Sequence, residues 1–178
     1  MIENETTKTI CSRRSVRKYK NDPISEEIVL TMLECAHLAP SGLNNQPWRF
    51  IVVNGSNENN SSNQEIGMQL SELTHYSEIV SSAPLLIAVF LDTASSYHRE
   101  KDLMAIGASI QNILLAAHSL GLGAVWLGEI LKNKDEVSKI LEAPDSFELA
   151  ALIAIGYPDE NSSGKAVRKP LDEIVFRK

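Results

Sequence analysis

Asp102-Leu103-Met104-Ala105-Ile106-Gly107-Ala108-Ser109-Ile110-Gln111-Asn112-Ile113-Leu114-Leu115-Ala116-Ala117-His118-Ser119-Leu120-Gly121 reads as one long helix with almost no polar face. Asp102 is its candidate N-cap, the helix spans Leu103–Leu120, and Gly121 closes it. A helix that is apolar all round must be buried all round. Its length would permit a membrane span, but the adjacent amides Gln111 and Asn112 at its centre, with Ser109 and His118, would be costly in lipid. Burial in the core of a dimer is the better reading, and the rest of the chain must supply the layers that cover it.

Those layers can be read outward from the helix. Pro84–Leu91 is unbroken apolar sequence, the mark of a central strand covered on both faces. Trp48–Val53 is aromatic and β-branched and predicts another strand, and shorter strands follow at Ala124–Trp126 and Glu148–Ile155. Apolar Ile28, Met32, Cys35, Ala36 and Ala39 recur at helical spacing over Ser25–Ala39, which Pro40-Ser41-Gly42 ends. Further helices are predicted at Thr6–Ser12, Gln64–Val80 and Asn133–Leu141, and an extended segment at Leu171–Phe176. Asn54–Asn63, rich in Asn, Ser and Gly, is a surface loop expected to be the least ordered segment. Helices and strands do not alternate strictly, so the class is α+β, one sheet layered by helices, in one domain over residues 1–178 without repeats or linkers.

With 178 residues, 43% hydrophobic and 22% charged, the composition is that of a soluble globular protein. The net charge of −6 argues against a general nucleic-acid binder, which needs a broad basic face. The polar, acidic start Met1–Thr6 lacks the features of a secretory signal, so a cytoplasmic protein is expected. Cys11 and Cys35 form no CxxC, and with four scattered histidines they give no metal-ligand spacing. Both thiols read as buried or idle.

Five of the seventeen basic residues nevertheless fall in Arg13-Arg14-Ser15-Val16-Arg17-Lys18-Tyr19-Lys20. One reading is a solvated basic face. The other is a small-anion site, because forked guanidinium donors and a nearby hydroxyl make strong charge-assisted bonds to phosphate. A second unusual segment, Pro40-Ser41-Gly42-Leu43-Asn44-Asn45-Gln46-Pro47-Trp48, is rich in carboxamides. Asn44 could pair with the donor–acceptor edge of a pyrimidine-like ring, or the amides could cap their own backbone in an Asx-type turn.

Taken together and in this order, the basic segment Arg13–Arg17, the segment Pro40–Trp48, Gly121-Leu122-Gly123-Ala124-Val125-Trp126-Leu127-Gly128 and Val167-Arg168-Lys169-Pro170-Leu171 closely resemble the FMN-dependent nitroreductase family over almost the whole chain. The resemblance implies a central, mostly antiparallel mixed sheet flanked by helices, in an intertwined homodimer whose C-terminal extension crosses to the partner. It implies two FMN sites at the subunit interface. By position, Arg13, Ser15 and Arg168 would contact the phosphate, with Lys169 as an addition and Arg14 acting through its backbone. Arg17 would lie near N1 and O2 of the isoalloxazine, where positive charge makes the ring easier to reduce. Asn44 would hold the pyrimidine edge, and Pro40, Ser41 and Leu43 would line the ring or ribityl chain. Leu127, Gly128 and Glu129 would pass beside N5 and O4. Longer family members place a glutamate before the corresponding glycine, whereas here Glu129 follows it, which leaves the N5 donor open.

The implied activity is ping-pong reduction of nitroaromatics, quinones or similar electron-poor acceptors by NADH or NADPH, with no side-chain nucleophile, no dedicated general base, no metal, no nucleic acid and no membrane. Of the histidines, His37 and His118 read as packing or surface residues within helices, and His75 and His98 lie near loops. Thr93–Lys101 precedes the long helix and reads either as a substrate cover or as a polar surface turn. The rival functions are a non-enzymatic FMN carrier or redox sensor and, more distantly, a flavin-dependent reductive dehalogenase.

Overall fold

The computed structural model describes residues 2–55, 61–159 and 167–178. Its centre is β2, Leu85–Asp92, in which all eight residues are buried. On one side it pairs with β1, Trp48–Asn54, and on the other with β4, Phe147–Gly156, which in turn pairs with β3, Gly123–Leu127. The order is β1-β2-β4-β3, and every one of these pairings is antiparallel. A parallel bridge between Ser15 and Ala124 extends the β3 edge and makes the sheet mixed. This is the expected α+β architecture.

Alternation along β2 divides the core in two. Leu85, Ile87, Val89 and Leu91 pack with Met32 of α2 (Glu26–His37) and with Ile106, Ile110 and Ile113 of α5 (Arg99–Ser119). Leu86, Ala88 and Phe90 face Leu70 of α3 (Ser61–Glu72), Val80 of α4 (Ser77–Ser82) and Val137 of α6 (Lys134–Ile140). Removing a ring such as that of Phe90, which is fully buried, would cost about 3–5 kcal/mol. The short α1, Glu5–Ser12, is capped by Asn4 in a capping box and lies against α5.

Several expectations are corrected. The helix expected over Gln64–Val80 is two, α3 and α4, because Thr74 and the His75 amide turn aside to bind the Glu129 carboxylate. α5 starts at Arg99 with His98 as its N-cap, and Asp102 sits one turn in, accepting from the His98 amide and the Ser96 hydroxyl. At its other end Gly121, at φ +80°, closes a Schellman motif in which Leu122 N donates to Ala117 O and Gly121 N to His118 O. Within one chain α5 is not buried all round: Met104 is 74% exposed, and Gly107, Ala108, Gln111 and Leu115 continue a half-covered stripe at helical spacing. Leu171–Glu173 forms a 3-10 turn within the segment expected to be extended. Residues 56–60 of the expected loop lie outside the described residues. Among the described residues no helix is long and apolar enough to cross a membrane.

Candidate functional site

The basic segment is an edge strip of the sheet. Val16 N donates to Ala124 O (3.1 Å), Lys20 N to Tyr157 O (2.8 Å), and Asp159 N to Lys18 O (3.1 Å). The Tyr19 hydroxyl lies between the carbonyls of Val16 and Ala154, at 2.7 and 3.1 Å, and burial pushes its pKa up. Gly123 makes the docking possible, since a Cβ there would sit 2.5 Å from Val16 Cβ and Cγ1. The strip is therefore fixed by backbone bonds and one close approach, while Arg13 and Ser15 are half-buried and Arg17 is exposed.

Arg13 has Arg168 and Arg14 as electrostatic neighbours, and burial followed by those two like charges holds its pKa below the ordinary arginine value. The Arg14 guanidinium turns back onto the end of α1, donating to Cys11 O (2.6 Å) and Arg13 O (2.8 Å). Among the described residues no ion pair engages Arg13, Arg14, Arg17, Arg168 or Lys169. Arg13 is half-buried between the exposed Arg14 and Arg168, and a bound anion would offset the repulsion among these like charges.

β3 carries the strip's register to a second location. From Ala124, beside Ser15, to Gly128 is four residues, or ~13 Å of strand. Leu127 is buried and Gly128 is exposed, with φ −99° and nothing within 4 Å of the place a Cβ would occupy. No conformational or internal steric need requires glycine there, so the space beside it is open to something outside the chain. The Glu129 side chain is committed elsewhere: its carboxylate accepts from Thr74 Oγ1 (2.7 Å) and His75 N (3.2 Å) and pairs with Lys132. These donors hold its pKa down at about 2.

The carboxamide loop is strained. Leu43, Asn44 and Gln46 have φ values of 57°, 54° and 50°, left-handed positions on either side of a right-handed Asn45 (φ −69°), each costing on the order of 1–3 kcal/mol. It is held by Gln46 N donating to Ser41 Oγ (2.9 Å), by Asn45 Nδ2 donating to Ser95 O (2.6 Å) and by the Gln46 side chain donating to Asn44 O (3.1 Å). Asn45 and Gln46 thus serve the loop, whereas the Asn44 side chain is exposed and makes no hydrogen bond among the described residues. Leu43 is 86% exposed. The Tyr97 ring packs on Gly42, and Lys101 Nζ lies 5.6 Å from that ring's centre. Of Thr93–Lys101, Thr93–His98 is a tied turn and Arg99–Lys101 begin α5: Thr93 N donates to Ser146 O, Ser96 Oγ to Asp102, and Arg99 pairs with Glu148.

One chain does not bring all the expected residues together. Arg13 and Arg14 lie near His118, at the C-terminal end of α5, with Arg168 beside Arg13 and Ser15 bridged to Ala124 of β3, whereas Pro40, Ser41 and Gly42 line a groove with Lys101, Met104, Ala105 and Ala108 at the N-terminal half of α5. The 13 residues from Ala105 to His118 separate the two locations by ~20 Å along the helix. His118 and the Thr74 clamp on Glu129 escaped the sequence reading, since both arise from contacts between distant segments, and no local pattern signals them.

The Nitroreductase family profile matches residues 10–157 of the chain. A Methanothermobacter thermautotrophicus protein provisionally named NADH dehydrogenase/NAD(P)H nitroreductase is 35% identical over 178 residues, covering 98% of this chain and 87% of its own. The iodotyrosine deiodinase of Thermotoga neapolitana is 28% identical, covering 93% of this chain and 92% of its own. Among solved structures, a provisionally named nitroreductase from Desulfovibrio desulfuricans, crystallised in complex with FMN, superposes with a TM-score of 0.88 at 41% identity, covering 99% of this chain and 98% of that one. The edge strip, the open turn at Gly128 and the strained amide loop thus stand in a chain that belongs to the nitroreductase family.

Proposed function

We propose that the chain is an FMN-dependent oxidoreductase that draws electrons from NADH or NADPH and delivers them, by a ping-pong mechanism, to nitroaromatics, quinones or similar electron-poor acceptors. The observation that carries this reading is the unneutralised cluster of Arg13, Arg14 and Arg168 at one end of β3, with the open turn at Gly128 about 13 Å away at the other. Such a surface suits a ligand with a phosphate at one end and a flat ring at the other. The FMN complex of the D. desulfuricans relative supports the choice of ligand.

Bound FMN would supply the electron transfer itself, accepting a hydride equivalent from the nicotinamide and returning electrons to the acceptor. The chain's own residues hold and tune it. Arg13, Ser15 and Arg168, with Lys169, bind the phosphate through charge-assisted hydrogen bonds, and Arg14 contributes through its backbone. Arg17 sets positive charge against the N1/O2 edge and favours the reduced ring. Asn44, its carboxamide unspent, pairs with the pyrimidine edge, and Pro40, Ser41 and Leu43 flank it. Leu127, Gly128 and Glu129 present backbone at N5 and O4, Glu129 in this way because its carboxylate is bound to Thr74, His75 and Lys132.

The working unit is a cytoplasmic homodimer of one flavin-binding domain per chain. Two copies of α5 packed antiparallel through Met104, Gly107, Ala108, Gln111 and Leu115 would set the Pro40–Asn44 loop of one chain against the basic strip of the other. That arrangement also covers the stripe on α5. The exposed apolar Leu171, Ile174, Val175 and Phe176 fit a C-terminal segment laid across the partner.

The test is steady-state oxidation of NADH and NADPH by the FMN-loaded protein with menadione as acceptor. Turnover with either nucleotide supports the reading, and flavin binding without turnover leaves the carrier or redox sensor. Reductive dehalogenation is favoured by Tyr97 packed on Gly42 with Lys101 beside its ring, and by the likeness to the T. neapolitana iodotyrosine deiodinase; halide release from a halotyrosine would select it.

A further inference from the structure

His118 lies in the last turn of α5, where its Nε2 is 2.7 Å from Ser12 Oγ. Ser12 Oγ also lies 2.8 Å from Lys8 O and 3.4 Å from Thr9 O, so its single hydrogen is taken by the end of α1 and the ring donates Nε2–H to the hydroxyl. Nδ1 is then the site that gains or loses a proton. The charged groups facing the ring come from the end of α1 and the strip that follows it, Arg13 and Arg14, with Arg168 behind Arg13; Glu5 lies farther off, across the groove between α1 and α5, and Lys8 one turn back on α1. β3, which follows α5 in the chain, carries no charged residue.

We propose that His118 is a fourth cationic member of the phosphate site, taking up a proton when a phosphate dianion binds at Arg13, Ser15 and Arg168, so that FMN binding is coupled to protonation. The inference rests on the proposed FMN site and adds to it a binding residue and a pH dependence. In the empty site, burial first and then the positive charges of Arg13 and Arg14 hold the ring's pKa below the ordinary histidine value. The negative end of the α5 dipole pulls the other way. A bound dianion cancels the arginine field and leaves the helix end in control, so the pKa rises. Between the two pKa values the complex holds one more proton than the free protein. In that window His118 weakens FMN binding by up to about tenfold per pH unit as pH rises and outside it adds no pH dependence, while the second ionisation of the FMN phosphate, at about pH 6, acts in the opposite sense.

The test is isothermal titration of the full-length apoprotein with FMN at pH 6.5 and at pH 8.5, each in two phosphate-free buffers of different ionisation enthalpy. The same titrations are made on H118Q, which keeps the hydrogen bond to Ser12 but cannot be charged, and the imidazole resonances are followed by NMR with and without FMN. Because the FMN phosphate releases protons equally in both proteins, the expected result is up to about one more proton taken up by the unsubstituted protein than by H118Q at pH 6.5, a difference absent at pH 8.5, together with an upward shift of the His118 pKa on binding. FMN binding with the same proton balance in H118Q as in the unsubstituted protein at pH 6.5 would overturn the role of His118 and leave the proposed function standing. No FMN binding at either pH would overturn both.

Discussion

Two glycines on β3 and its exit turn face opposite constraints, and substituting each by alanine separates the scaffold from the site. At Gly123 a methyl group would fall 2.5 Å from Val16 Cβ and Cγ1 and 2.7 Å from Cγ2, against a side chain fixed close to its backbone. Val16 must move, and the strip loses its bond to Ala124 O. Overpacking costs about 1–3 kcal/mol and the lost hydrogen bond about 1 kcal/mol, giving roughly 2–4 kcal/mol in all. At about 2–4 °C per kcal/mol for a chain of this size, the apoprotein Tm should fall by roughly 4–16 °C. Gly128→Ala meets nothing within 4 Å at an ordinary φ, so apoprotein stability should stay level or rise by about 0.4–1 kcal/mol as the unfolded chain loses freedom. The flavin should resolve the pair. Gly123→Ala displaces the phosphate arginines and weakens FMN binding, whereas Gly128→Ala pushes a methyl group into the space assigned to the ring edge and slows reduction by NADH with unchanged apoprotein melting. Calorimetric melting of both apoproteins, FMN titration and stopped-flow reduction give the three readouts. A Gly128→Ala protein with unaltered flavin binding and reduction would refute the assignment of the ring to that turn.

Arg17→Ala should lower the flavin reduction potential more than it weakens FMN binding, and Arg168→Ala should do the reverse; potentiometry and FMN titration check this, and equal effects from both would undo the division of roles. Met104→Glu, which buries a charge in the stripe proposed as the α5 contact, should yield a monomer in sedimentation velocity that also loses FMN, while a monomer that retains flavin and activity would contradict a shared site. Glu129, with its folded pKa depressed to about 2, contributes stability that is fully present above the ordinary glutamate pKa and is lost as pH falls through about 2. Urea midpoints measured between pH 5 and pH 2.5 should therefore fall less steeply in Glu129→Gln than in the unsubstituted protein. Thr74→Val, which removes a buried donor to that carboxylate, should destabilise by about 1–3 kcal/mol.

What the sequence made legible is what local pattern controls. The eight-residue run Pro84–Leu91 is apolar on both faces because both are covered, and it lies within a residue of β2, Leu85–Asp92. Ser25 caps α2 and Gly121 closes α5 by chemistry that acts over three or four residues. The misreadings have distant causes. The break between α3 and α4 is held by a carboxylate 55 residues away, which no helical periodicity can foretell. Leu43, Asn44 and Gln46 are left-handed without being glycine, imposed by the bonds among Ser41, Asn45, Gln46 and Ser95. In the site, the cation cluster was visible in the run of arginines because two of its members, Arg13 and Arg14, are neighbours in sequence. His118 was not, since it reaches them only across the α1–α5 contact.

The most direct measurement is the absorbance spectrum of the purified protein, reconstituted with FMN and titrated anaerobically with NADH and then with NADPH. Flavin bands near roughly 370 and 450 nm should bleach with at least one nucleotide and return on addition of a quinone. Bound flavin that neither nucleotide reduces would contradict the NAD(P)H oxidoreductase, and a protein that takes up no FMN would contradict the reading of Arg13, Ser15 and Arg168 as a phosphate site.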